Sequence, residues 1–133
     1  LRQEAAAGAQ FDIYLYAEEI DPANSISTMV VYLDYDTNSL TYTGFEKGTL
    51  LADFNLAIFP EPDQANSQIL IEGGVSQPGI VGTGPLVKLT FTFNPQTDSA
   101  QISIADSSFY YLGSSNEKLN FINRIGGIIE VGP

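Results

Sequence analysis

Hydrophobic and polar residues alternate along much of this chain with a period of two, the repeat of a strand that buries one face. In the segment 11–16, Phe11, Ile13 and Leu15 share one side and Asp12, Tyr14 and Tyr16 the other. From Thr28 to Tyr35, Met29, Val31, Leu33 and Tyr35 alternate with Thr28, Val30, Tyr32 and Asp34. The cleanest run sets Val87, Leu89, Phe91 and Phe93 against Lys88, Thr90 and Thr92, and it is rich in the β-branched and aromatic residues that strands favour. The same logic predicts shorter strands near 40–45, 54–59, 68–72, 101–105 and 127–131, and a weak edge strand before Gly8. Helical periodicity is hard to find; one turn of helix is expected within Gly48–Asn55.

Turn chemistry separates the strands. Asp21-Pro22-Ala23-Asn24, Glu46-Lys47-Gly48, Pro60-Glu61-Pro62-Asp63, Gln77-Pro78-Gly79 and Asn94-Pro95 carry Pro, Gly or Asn where tight bends need them. Eight or nine short strands at such spacing, with no convincing helix between them, predict an all-β sandwich or barrel. With 133 residues and no internal linker, the expectation is a single domain over residues 1–133.

Composition narrows the function. The chain has no cysteine, so disulfide scaffolds, thiolate metal sites and cysteine nucleophiles are excluded. It also has no histidine, the usual general base near neutral pH and a common metal ligand. Only Lys47, Lys88 and Lys118 remain as bases for a serine nucleophile, and none sits in a catalytic motif. The formal net charge of −11 repels phosphate backbones and anionic lipid heads, so nucleic acid and membrane surfaces are poor partners. No apolar run approaches bilayer length. Few basic residues and no cysteine fit an extracellular bacterial module.

Three features invite a site. Asp34-Tyr35-Asp36-Thr37-Asn38 opens like a calcium loop, but such a loop needs Gly sixth and Glu twelfth, and this chain has Ser39 and Phe45 there. A strand-end turn is the expected reading, with no metal site. The sixteen acids allow many carboxylate pairs and single out none; Glu72, between Ile69-Leu70-Ile71 and Gly73-Gly74, reads as a strand-end acid or an interface contact. Finally, alternation turns Val30, Tyr32 and Phe59 outward, where polar residues are the rule for a solvated sheet. These three are candidates for a binding face.

In order and spacing, four stretches resemble a cohesin module: Gly8-Ala9-Gln10-Phe11-Asp12-Ile13, Met29 to Leu40 with its Tyr35-Asp36 end, Gly84-Pro85-Leu86-Val87-Lys88-Leu89-Thr90-Phe91, and Gly126-Gly127-Ile128-Ile129-Glu130-Val131. The resemblance covers nearly the whole chain. It implies a nine-stranded jelly-roll sandwich whose flat sheet face receives a dockerin, with calcium carried by the partner and no cofactor in the module itself. It further implies partner contacts from Thr28, Val30, Tyr32, Phe59, Leu70 and Glu72, no catalysis, and a place in a larger bacterial or archaeal protein that is secreted or held at the cell surface. Many cohesins carry Asn and Asp where this chain has Thr28 and Val30, which implies a dockerin outside the best-known type. The rival readings are a carbohydrate-binding module, served by a row of Tyr14, Tyr16 and Tyr32 in a chain without Trp, and a structural spacer.

Overall fold

The computed structural model describes residues 2–51, 57–74, 79–96, 98–113, 115, 117–120 and 127–131. Eleven strands occur in it: β1 (Arg2–Ala5), β2 (Gln10–Ile20), β3 (Ile26–Tyr35), β4 (Leu40–Lys47), β5 (Ala57–Asp63), β6 (Gln68–Gly74), β7 (Gly82–Phe93), β8 (Ser99–Ile104), β9 (Phe109–Leu112), β10 (Lys118–Asn120) and β11 (Gly127–Val131). They form the expected sandwich. The larger sheet runs β1-β11-β8-β3-β6-β5, with β9 beside β3 and β10 beside β9; the smaller runs β2-β7-β4. Every ladder is antiparallel except β1 on β11.

The core lies between the sheets and follows the alternation. Met29, Val31, Leu33 and Tyr35 of β3, Ile69 and Ile71 of β6, and Val87, Leu89, Phe91 and Phe93 of β7 are all buried in one cluster. Aromatic rings converge on Phe91, which stacks on Phe11 at 5.9 Å between centroids and meets Tyr35 at 5.6 Å and Tyr42 at 5.8 Å. Truncating so central a ring should cost about 3–5 kcal/mol. Ile13 and Leu15 pack more loosely at the margin of the same cluster. Gly8 turns the chain between β1 and β2 with a φ of +80°, a conformation that favours glycine, and its amide donates to the Phe93 carbonyl at 2.7 Å.

Four local expectations need amendment. Strand β2 continues past Tyr16 to Ile20 through a bulge at Ala17/Ile20, where the Glu19 amide donates to Thr83 Oγ1 at 2.8 Å. Pro60-Glu61-Pro62-Asp63 is not a turn but the second half of β5. Proline is admitted there because β5 ends the sheet, and a strand with one free side needs to donate only toward the other. The expected helical turn is a short 3₁₀ segment at Thr49–Leu51, and its continuation to Asn55 lies outside the described residues. Strands β9 and β10 answer to no predicted element and bring the strand total from about nine to eleven. Phe109–Leu112 does not alternate, and the three residues Lys118–Asn120 are too few to establish a period.

Candidate functional site

Because β5, β6 and β3 are adjacent, their outward positions fall into rungs. Phe59, Glu72 and Val30 share one rung; Glu61, Leu70 and Tyr32 the next; Ala57, Gly74 and Thr28 the one on the other side. All six candidate positions are thereby brought together on one sheet face. Thr28, Tyr32 and Leu70 are half-buried, and Glu72 is exposed. Val30 departs from expectation: it faces away from the core cluster yet is only 9% exposed. It stands between the longer side chains of Phe109 on β9 and Glu72 on β6, so a valine there forms a floor rather than a projection. The backbone of Phe59 pairs with Glu72, while its side chain lies outside the described residues.

Strand β9 widens this face with residues that local pattern did not reveal. Phe109 pairs with Val30 and Tyr111 with Thr28, whereas the intervening Tyr110 packs against the core. The rings of Phe109 and Tyr111 meet edge-on at 5.8 Å, and Lys118 Nζ of β10 sits 4.1 Å from the Phe109 centroid. The run Phe109-Tyr110-Tyr111-Leu112, strand-like in composition, was the one available signal. From β5 to β10 the face is thus aromatic and apolar at its centre, with Glu61 and Glu72 toward one edge and Lys118 toward the other.

Behind β3 the ladder has a break. Residues Ile26–Val30 pair with β9 and Leu33–Tyr35 with β8, so Tyr32 stands where one neighbour has ended and the next has yet to begin. The β8–β9 connection fills the gap. Its Ala105 amide donates to the Tyr32 carbonyl at 2.8 Å, and the Tyr32 amide donates to Ser108 Oγ at 2.9 Å.

The outer face of the smaller sheet differs in chemistry. Lys88 Nζ lies 3.0 Å from Glu46 and 4.0 Å from Asp12, and Thr90 Oγ1 donates to Asp12 at 2.7 Å. The hydrogen bond that Lys88 donates to Glu46 raises the Lys88 pKa above that of a free lysine, so the ammonium stays charged. Tyr14 and Tyr16 stand out at 57% and 55% exposed. They belong to β2 and Tyr32 to β3, in different sheets, so the proposed row of three tyrosines does not exist.

At the end of β3, Asp36 shapes a turn. Its Oδ1 accepts from the Asn38 amide at 3.0 Å, and its carbonyl accepts from Ser39 and Leu40 at 3.2 and 2.8 Å. Asp34 Oδ1 accepts from Gln68 Nε2 at 2.8 Å instead of converging with Asp36. Among the described residues no group of three or more Asp and Glu could hold a metal ion. No helix there is long and apolar enough to cross a membrane.

Solved structures share this architecture at low identity. A non-cellulosomal cohesin from the hyperthermophilic archaeon Archaeoglobus fulgidus superposes with a TM-score of 0.77 at 19% identity, over 98% of this chain and 86% of that one. The cohesin module of a Clostridium perfringens family 33 glycoside hydrolase gives 0.78 at 10%, over 96% and 89%. A type I cohesin–dockerin complex of Clostridium thermocellum, Coh-OlpC with Doc435, gives 0.77 at 18%, over 98% and 90%. No curated protein sequence matches the chain. The cohesin domain family model matches residues 2–122, and on that ground the chain belongs to the cohesin family.

Proposed function

We propose that this cohesin domain is a non-catalytic receptor, and that the outer face of β3, β6, β5 and β9 is where a dockerin-type partner docks. One observation carries the reading: Val30, Tyr32, Leu70, Phe109 and Tyr111 gather on a sheet face turned away from the core, where solvent alone would select polar residues. Tyrosine and phenylalanine bury large areas at little cost in side-chain freedom, which suits the centre of an interface. Thr28, Phe59 and Glu72 complete the contact set. The partner's matching surface is an apolar ridge with a basic residue opposite Glu72 and Glu61, and it brings its own calcium. The domain spans residues 1–133 as one unit of a secreted or cell-surface protein. A chain without histidine or cysteine supplies little for catalysis, and the separation of Tyr14 and Tyr16 from Tyr32 leaves sugar binding without a platform.

The test is calorimetric titration with a panel of calcium-loaded dockerin modules. At least one should bind, and Tyr32→Ala and Phe59→Ala should each weaken it roughly 30-fold, as expected for a buried aromatic anchor. Lys88→Ala, on the opposite face, should leave affinity unchanged. Equal affinity for all four proteins would sink the assignment of the face. Binding to cellulose or xylan fragments that is abolished by Tyr14→Ala would replace the reading altogether.

A further inference from the structure

Ser108 belongs to no strand and is 0% exposed, so no partner can touch it. It nevertheless holds the backbone of Tyr32, near the middle of the proposed docking face. Along the rest of β3, amides facing β8 and β9 find carbonyls in those strands; at Tyr32 the neighbouring strand has stopped, and a serine hydroxyl takes its place. The same hydroxyl lies 3.5 Å from the Tyr32 carbonyl, which already accepts from the Ala105 amide, and the Ser108 amide closes the connection by donating to Ala105 at 3.1 Å. This four-residue plug replaces a missing length of strand.

From this geometry we infer that Ser108 is a positioning residue for partner binding, acting through Tyr32 alone. The inference rests on the docking reading above. An amide on a half-buried strand cannot be left unpaired without cost. Remove the hydroxyl, and β3 either admits water at Tyr32 or shifts toward another acceptor. Each response frees the Tyr32 backbone and, with it, the direction in which the ring leaves the sheet. Serine suits the position because it carries both a donor and an acceptor on a side chain small enough for a fully buried site. Alanine lacks the hydroxyl, and threonine adds a methyl group to a space already filled.

The test is a double-mutant cycle read with a calcium-loaded dockerin selected from a displayed library for binding to the unaltered domain. Ser108→Ala should weaken binding about five- to tenfold when Tyr32 is present and less than about twofold in a Tyr32→Ala background. A general loss of stability would lower both backgrounds alike, and that result overturns the proposal. If Tyr32→Ala by itself has no effect, the docking face has failed rather than the role of Ser108. A second measurement needs no partner: amide hydrogen exchange at Tyr32 should rise about tenfold or more in Ser108→Ala, with the Ile69 and Ile71 amides unchanged. Unchanged exchange at Tyr32 overturns the proposal directly. Ser108→Cys, similar in volume with a weak donor, takes the place of the alanine variant if that fails to fold.

Discussion

Lys118 Nζ rests 4.1 Å from the centre of the Phe109 ring, which joins β10 to β9 through a cation and an aromatic face rather than through a salt bridge. The pair contributes in the range of about 0.5–1 kcal/mol at an exposed site. Its larger effect is on shape, because it fixes a ring that also meets Tyr111. Phe109→Leu should therefore leave the melting temperature nearly unchanged while weakening dockerin binding about tenfold. Thermal melts and titrations on the same samples check this. A large stability loss with unchanged affinity would make Phe109 a packing residue.

Gly74 gives a sharper separation of stability from binding. Among the described residues, a Cβ added there would meet Thr28 Oγ1 at 3.4 Å and the Ser27 carbonyl at 3.5 Å, both ordinary contacts. Valine suits a strand better than glycine by roughly 0.5–1 kcal/mol, so Gly74→Val should raise stability. The same branch stands out beside Thr28 on the proposed docking face and should lower partner affinity. Improved stability with untouched binding would mean that the partner does not cover this end of the sheet.

Tyr35 provides a test of the core. Its ring is buried, and its hydroxyl finds no hydrogen-bond partner among the described residues. Burial raises its pKa above the ordinary 10, with a smaller push from the charge of Asp63. A raised folded-state pKa stabilises the protein below the unfolded value, and that contribution disappears as pH climbs through the folded value. Stability should therefore fall above about pH 10. Tyr35→Phe should reduce that alkaline loss and, at neutral pH, stabilise by about 1 kcal/mol by removing an unpaired hydroxyl. Tyr42, raised by burial as well, keeps part of the alkaline effect. Urea unfolding at a series of pH values distinguishes these outcomes, and an unchanged alkaline slope would count against the assignment.

Calcium should matter to the complex and not to the domain. With Asp36 closing a turn on Asn38 and Asp34 bound to Gln68, chelation should leave the domain's melting temperature where it was while abolishing binding of a calcium-loaded dockerin. A fall of more than about 10 °C in the isolated domain, equal to about 2 kcal/mol or more, would show that the Asp34–Asn38 segment holds a structural ion.

How much of this was legible depends on the distance over which each feature is decided. The inward residues of β3, β6 and β7 were plain because alternation is local and each strand carries several repeats. Which residues of β6 face inward followed as well, since a slip of one residue would have exposed Ile69 and Ile71. The proposed docking face was read only in part. Its β9 side depends on Val30 meeting Phe109, residues 79 positions apart in a chain whose local pattern at Phe109–Leu112 does not alternate. The low exposure of Val30 has the same origin, for it is imposed by neighbours and not by its own segment. Pro60 and Pro62 were misread for a related reason: a proline excludes the middle of a sheet, but nothing nearby in sequence says that β5 is at the margin.

Those two prolines also bear on how the domain behaves when many copies are crowded together. In the β5–β6 pairing, residues 58, 60 and 62 share the side turned away from β6, and at Pro60 and Pro62 the nitrogen carries no hydrogen, which leaves Ile58 to donate outward from β5. A neighbouring chain that tried to extend the sheet along residues 60–62 would find acceptors and no donors. Open sheet margins are the usual starting points of strand-by-strand polymerisation. Wherever such domains are crowded together, the stretch of this margin held by Pro60 and Pro62 offers a poor template for self-assembly.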